Sequence, residues 1–251
     1  MSLKERLINL FPKSLHLPIR YYFRKINGTL DDEIRILNKL VNGGCAIDIG
    51  ANYGLYTYVL SKLCERVEAF EPIPECAETI LAYSRYLAKK GKNNIYVHRV
   101  GLSNTSGYLT LHIPVRNGKR VFAYASFEYI ENPYEDIQVP VFRLDDFNFR
   151  NVSFIKIDVE GHEDKVLEGA QETILREKPV ILIEIEQRHM PGRSIEDVFN
   201  KIIAFGYEGS FLFRNKLTPL SEFSYEKHQQ PYLNNVMCRD YINNFIFKPI
   251  R

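Results

Sequence analysis

Ala46-Ile47-Asp48-Ile49-Gly50-Ala51-Asn52-Tyr53-Gly54 is the stretch on which the reading of this 251-residue chain turns. Ala46 to Ile49 is a short apolar strand that runs into a glycine-punctuated turn. Leu55 to Leu63 then reads as a helix, and Arg66 to Phe70 as a second strand ending on Glu71 and Pro72. Strand, glycine turn, helix and acid-tipped strand, in that order, make one βαβ half of a nucleoside-binding sheet. Gly50 lets the backbone turn sharply as the strand ends, and Gly54 lets the helix lie close to the sheet. Glu71 follows Gly50 by 21 residues, near the ~20-residue spacing at which a carboxylate reaches the hydroxyls of a ribose.

Two departures from the dinucleotide fingerprint narrow the ligand. Asn52 replaces the middle glycine that lets a pyrophosphate approach the backbone, and Asp48 puts a carboxylate just before the turn. A phosphate would meet a side chain and a negative charge there. An adenosine without phosphate and with a cationic amino-acid tail suits the turn better, and S-adenosylmethionine is such a ligand. An ordinary βα loop would account for the two glycines alone, but not for Asp48 and Glu71 beside them.

The length and the 45% hydrophobic and 25% charged fractions suit a soluble chain with a sizeable core. The expected organisation is an N-terminal helical extension over 1–42 and a single α/β domain over 43–251. No apolar run approaches the ~20 residues that span a bilayer. Cys45, Cys64, Cys76 and Cys238 form no C-x-x-C pair and no cluster with histidine, which points to reduced thiols; with no secretory signal, cytoplasmic residence is expected. The first 25 residues hold six basic side chains against Glu5 alone, a surplus of five, so with +2 for the whole chain the remainder carries −3. Leu7, Ile8, Leu10, Phe11, Tyr21, Tyr22 and Phe23 make that leader amphipathic. It suits either peripheral contact with an anionic membrane or packing on the domain with its charges solvated.

Asp31 or Asp32 is placed to cap a helix running through Leu40 to the stop at Asn42-Gly43-Gly44. Pro74 to Lys90 reads as a helix and Asn94 to Val100 as a third strand. Between about 102 and 143 the pattern turns β-rich: Gly107 to Ile113 alternates, Asn117-Gly118 marks a turn, and Gln138 to Phe142 alternates again. Tyr124, Phe127, Tyr129 and Tyr134 in this insertion suit a pocket wall or a small core equally. Further on come a strand over 153–157, a helix over 163–175, a strand over 179–185, a helix over 195–204, and strands over 209–214 and 234–240. That makes seven strands, the last two an antiparallel pair at the edge.

Asp158, Glu160 and His162 follow the apolar strand Phe154-Ile155-Lys156-Ile157, which puts them on the rim where doubly wound sheets bind ligands. His162 has the near-neutral pKa suited to freeing a hydroxyl of its proton, and Asp158 or Glu160 is placed to orient it. Negative charge is also simply favourable at a helix start, which accounts for Glu160 and Glu163 without chemistry. The next strand end supplies Glu184, Glu186, Arg188 and His189. Asp158 and Glu184 have the oxygens for Mg²⁺ but no diagnostic spacing, so a divalent metal is possible in chemistry and not indicated.

Asp48-Ile-Gly-Ala-Asn-Tyr-Gly54, Phe70-Glu-Pro72, Val141-Phe-Arg-Leu-Asp-Asp146 and Phe154-Ile-Lys-Ile-Asp-Val-Glu-Gly-His-Glu163 together resemble the FkbM family of S-adenosylmethionine-dependent methyltransferases. The last segment, continuing through Asp164-Lys-Val-Leu-Glu-Gly-Ala170, is the specific one. The resemblance spans about 43–187. It implies an α/β, Rossmann-like class I methyltransferase fold, with a seven-stranded mostly parallel sheet, an antiparallel edge hairpin and the β-rich insertion. It implies O-methylation of a hydroxyl on a sugar, glycan or natural product. Asp48, Gly50, Asn52 and Gly54 would hold the methionine part, Glu71 the ribose, Gly101 and Leu102 the adenine border, and Asp158 would face the reaction centre. Ala51, Tyr53 and Pro72 complete the expected cofactor-binding set, and His162, Asp158, Glu160 and Glu184 the expected catalytic set. A nicotinamide-dependent oxidoreductase is disfavoured by Asn52 and Asp48. A nucleic-acid partner is disfavoured by the confinement of basic charge to the leader. A non-catalytic ligand-binding protein on the same sheet stays open.

Overall fold

Alternating apolar strands and amphipathic helices build a mixed sheet with a smaller sheet beside it. The computed structural model describes residues 8–128 and 133–250. The elements are α1 (Lys13–Ile26), α2 (Leu37–Leu40), β1 (Cys45–Ile49), α3 (Leu55–Leu63), β2 (Arg66–Phe70), α4 (Pro74–Lys89), β3 (Ile95–His98), β4 (Gly101–Leu102), β5 (Gly107–Arg116), β6 (Lys119–Arg120) and β7 (Tyr134–Phe142). There follow β8 (Val152–Ile157), α5 (Glu163–Gly169), α6 (Gln171–Glu177), β9 (Val180–Glu184), α7 (Ile195–Ala204), β10 (Tyr207–Phe213), β11 (Lys216–Pro219), α8 (Tyr225–His228) and β12 (Asn244–Pro249).

The main sheet runs β11-β10-β12-β9-β8-β1-β2-β3. The five strands from β9 to β3 are parallel, and β12, β10 and β11 are antiparallel. The sheet thus has eight strands where the sequence suggested seven, because β10 folds back on β11. Every residue of β1 is buried, and Ile47, Phe154, Ile155, Ile181 and Leu182 are sealed from water by helices on both faces. Such burial contributes about 1.5–3 kcal/mol for each large apolar side chain. The last strand lies at 244–249 and not at 234–240, and it sits between β9 and β10 with Phe245, Ile246 and Phe247 buried. Asn234 and Asn235 favour turns, and the stretch 234–240 forms turns.

Two helix expectations change in detail. A 3-10 turn, Asp32–Ile36, leads into the single-turn α2, and Asp31 makes no side-chain cap. The helix over 163–175 is two helices that break at Ala170. The Asp145 carboxylate accepts the N–H groups of Glu172 (3.1 Å) and Thr173 (2.8 Å), giving α6 a start of its own. The leader forms α1, and its Leu17 is buried with Tyr58, Ile80 and Tyr83. The insertion makes the sheet β4-β7-β5-β6. Asn117 and Gly118, both at positive φ, close the β5–β6 hairpin as a type I′ turn.

Candidate functional site

Strand ends β1, β2, β8 and β9 reach one rim, and two adjoining spaces open there. Gly50, at φ +76°, starts the first turn. A Cβ built on it would lie 1.8 Å from the Asp158 carbonyl oxygen, so only glycine lets the ends of β1 and β8 close together. Asn52 takes φ 50° and donates its backbone N–H to Glu71 Oε2 at 2.7 Å, while Ile73 donates to Oε1 at 2.7 Å. The Glu71 carboxyl is thereby held at the end of β2 with a lone pair left on each oxygen. Burial pushes its pKa up to about 7.

The first space holds about 580 Å³, solvent included, and is walled by Phe70, Ile73, Val100, Leu102, Phe122 and Phe127, with Gly50, Asn52, Glu71, Pro72, Gly101 and Asp158 also lining it. An apolar slot with a carboxylate at the position a ribose would take suits an adenosine, so the residues present fit the expected cofactor. The second, larger crevice is lined by Asp48, Ala51, Tyr53, Tyr56, Lys156, Glu184 and Glu186, and by residues of the leader and of the C-terminal segment. Gly50, Asn52, Ala123, Asp158 and Glu160 line both spaces and mark where they meet.

Lys156, read in the sequence as part of an apolar strand, stands buried on the floor of the larger crevice. Its Nζ donates to the Ile157 carbonyl (3.2 Å) and Asn244 Oδ1 (3.2 Å) and lies 3.9 Å from Asp158 Oδ2. Burial opposes the charge, but the carboxyls of Asp158, Glu184, Asp31 and Asp48 outweigh it and hold the ammonium above its ordinary pKa. Burial raises Asp158 and, strongly, Glu184; Glu160 rises to about 6 and Asp48 to about 6, the latter against the hydrogen bond from Thr57 Oγ1 (2.5 Å). Glu160 takes φ 53°, and its carbonyl accepts Ser126 Oγ at 2.6 Å. A left-handed non-glycine residue at the junction is the kind of strain that functional sites retain.

His162 does not join this group. Its Nε2 meets Ser103 Oγ at 2.9 Å and its Nδ1 meets Glu128 Oε1 at 2.7 Å, and it lines neither space. Packed against Phe127, it ties the insertion to the start of α5, which sets it apart from the carboxyl group cluster at the rim. Gly54 is likewise off the walls. A Cβ there would lie 2.8 Å from both Ile80 and Leu17, so its smallness admits α4 and α1 rather than the sheet. The insertion's aromatics divide: Phe127 lines the first space and Tyr124 the second, Tyr134 packs on His112, and Tyr129 lies outside the described residues.

Among the described residues, Asp158, Glu160 and Glu184, and also Glu160, Glu186 and His189, bring potential metal-ligand atoms within 4.8 Å of one another. Lys156 lies beside Asp158, His189 Nδ1 sits 2.9 Å from Glu160 Oε2, and Arg188 pairs with Glu186, so Asp158, Glu160 and Glu186 already have basic neighbours. The C-terminal segment adds what the sequence did not single out: Tyr241 donates to Glu186, and Asn243 Nδ2 donates to Glu184 at 2.7 Å.

A mainly parallel sheet with a switch-point crevice, a glycine turn and an acid-tipped second strand is the class I methyltransferase form of the Rossmann-like fold. Residues 48–208 match the methyltransferase FkbM domain, and the chain belongs to that family. It is similar to Methyltransferase 1 of Beauveria bassiana (strain ARSEF 2860), 26% identical over 144 residues that cover 49% of this chain and 57% of that one. The crystal structure of the methyltransferase FkbM from Methylobacillus flagellatus KT superposes with a TM-score of 0.53 at 18% identity, covering 97% of this chain and 57% of that one. The chain thus spans a little over half the length of each. Among the described residues no helix is long and apolar enough to cross a membrane.

Proposed function

We propose that this chain is an S-adenosylmethionine-dependent methyltransferase that methylates a hydroxyl oxygen of a sugar, glycan or natural-product acceptor held in the larger crevice. The observation that carries the reading is the meeting of two spaces at Asp158 and Glu160, one an apolar slot beside Glu71 and the other floored by Lys156 and carboxyl groups. When bound, S-adenosylmethionine supplies an electrophilic methyl group on a sulfonium. Glu71 accepts the ribose hydroxyls, and the Gly50–Asn52 turn orients the methionine end. Asp158 would take up the acceptor's hydroxyl proton, and the bound cofactor would supply the methyl group to that oxygen. Burial raises the Asp158 pKa, which makes it a stronger base than an ordinary carboxylate. Lys156, 3.9 Å away, holds that carboxylate in place.

Asp158→Asn is expected to lower methyl transfer about 10²–10⁴-fold while S-adenosylhomocysteine affinity by calorimetry stays within a few-fold. His162→Ala, which removes a strut, is expected to lower the melting temperature and leave turnover of the folded protein within about tenfold of normal. Full activity in Asp158→Asn would falsify the base assignment. Cofactor binding without turnover across hydroxylated acceptors would instead make the chain a binding protein.

A further inference from the structure

The mouth of the larger crevice is apolar and basic where its floor is acidic. The end of α1 supplies Phe23 and Arg24 to the lining, with Lys25 and the 82% exposed Ile26 following them in the chain outside it; the C-terminal segment supplies Met237, 83% exposed, and Arg239. The two segments meet there: Arg239 Nη2 lies 4.0 Å from a Cβ built on Gly28, and Phe23, Arg24, Met237 and Arg239 all line the crevice. Of the fifteen large apolar side chains exposed among the described residues, seven belong to residues 10–26 and 233–237. That places the excess on these two segments and not over the whole surface. Large exposed apolar side chains interspersed with lysine and arginine match a bilayer interface bearing anionic headgroups, which offers both acyl chains and negative charge.

We infer that this mouth seats on an anionic phospholipid surface as a peripheral contact. Phe23, Ile26 and Met237 enter the headgroup boundary, and Lys25 and Arg239 face the phosphates. Arg24 also pairs with Asp31 at 3.5 Å, which fixes the end of α1 beside the crevice. For its functional meaning the inference rests on the methyl-transfer reading, under which the crevice floor faces the membrane and the acceptor hydroxyl is one carried on a lipid or a lipid-linked glycan. The contact itself stands on the surface alone.

Cosedimentation of the full chain with phosphatidylcholine vesicles, with and without phosphatidylglycerol, tests the contact. Binding is expected only with phosphatidylglycerol and is expected to weaken as salt rises. Ile26→Asp with Met237→Asp abolishes it. Lys25→Ala with Arg239→Ala lowers partitioning roughly thirtyfold, at ~1 kcal/mol for each basic side chain. Calorimetry with S-adenosylhomocysteine on the same variants is expected to be unchanged, so a failed vesicle experiment and a failed cofactor site are told apart. Absence of binding to phosphatidylglycerol vesicles, or binding unaltered in Ile26→Asp/Met237→Asp, overturns the inference. Self-association that the aspartate pair abolishes, with no vesicle binding, overturns it too and assigns the face to a second copy.

Discussion

Glu71 shows how one side chain serves both fold and site. Its two oxygens accept the Asn52 and Ile73 N–H groups, and this fixes the first turn against the end of β2. Burial is the larger influence and carries its pKa up to about 7, against those two hydrogen bonds. A ribose offers hydroxyl donors, which the ionised carboxylate accepts and the protonated acid meets poorly. Affinity for S-adenosylhomocysteine is therefore expected to rise with pH up to about 7, by as much as tenfold per unit, and to level off above it. Titration calorimetry across that range checks this. Glu71→Gln is expected to bind weakly at every pH and to lose the slope, and an equally steep slope in that variant would exclude Glu71 as its source.

At the scale of elements, β1 and β8 depend on a single hydrogen atom. Ala in place of Gly50 must hold φ +76° and put a methyl carbon against the Asp158 carbonyl, with the φ alone costing about 1–2 kcal/mol. Gly50→Ala is expected to lower the melting temperature by at least about 5 °C and to abolish S-adenosylhomocysteine binding; calorimetric and thermal scans of the purified variant read both. The segment around this glycine was legible because its signals are local: α3 and β2 lie where the apolar period and the glycines placed them. Elements set by distant partners were not legible. The break at Ala170 depends on Asp145, 25 residues earlier, and β12 is a strand because β9 and β10 flank it. Lys156 read as a strand residue because its carboxyl partners come from four separate segments. His162 had the right chemistry for a base, yet Ser103 and Glu128, far off in sequence, take both its ring nitrogens.

For the whole molecule, the family match covers 48–208, and segments on either side of that range complete the crevice. Glu33, on the turn between α1 and α2, lines the crevice and is buried. Burial, followed by the backbone hydrogen bond that opposes it, leaves its pKa at about 7, well above an ordinary carboxyl. Below about 4.5 this carboxyl is protonated in both folded and unfolded chains, and its contribution to stability is fully present. As pH rises towards 7 the unfolded chain gives up the proton first, so stability is lost through that window and the loss is complete above it. Glu33→Gln never ionises. It is expected to match the parent near pH 4.5 and to exceed it near pH 8 by about 1–3 kcal/mol, several degrees of melting temperature for a chain of this size. A gain of the same size at both pH values would mean that shape, and not a buried charge, sets the effect. A loss near pH 8 would mean that the ionised carboxylate is what fastens the leader turn over the crevice floor.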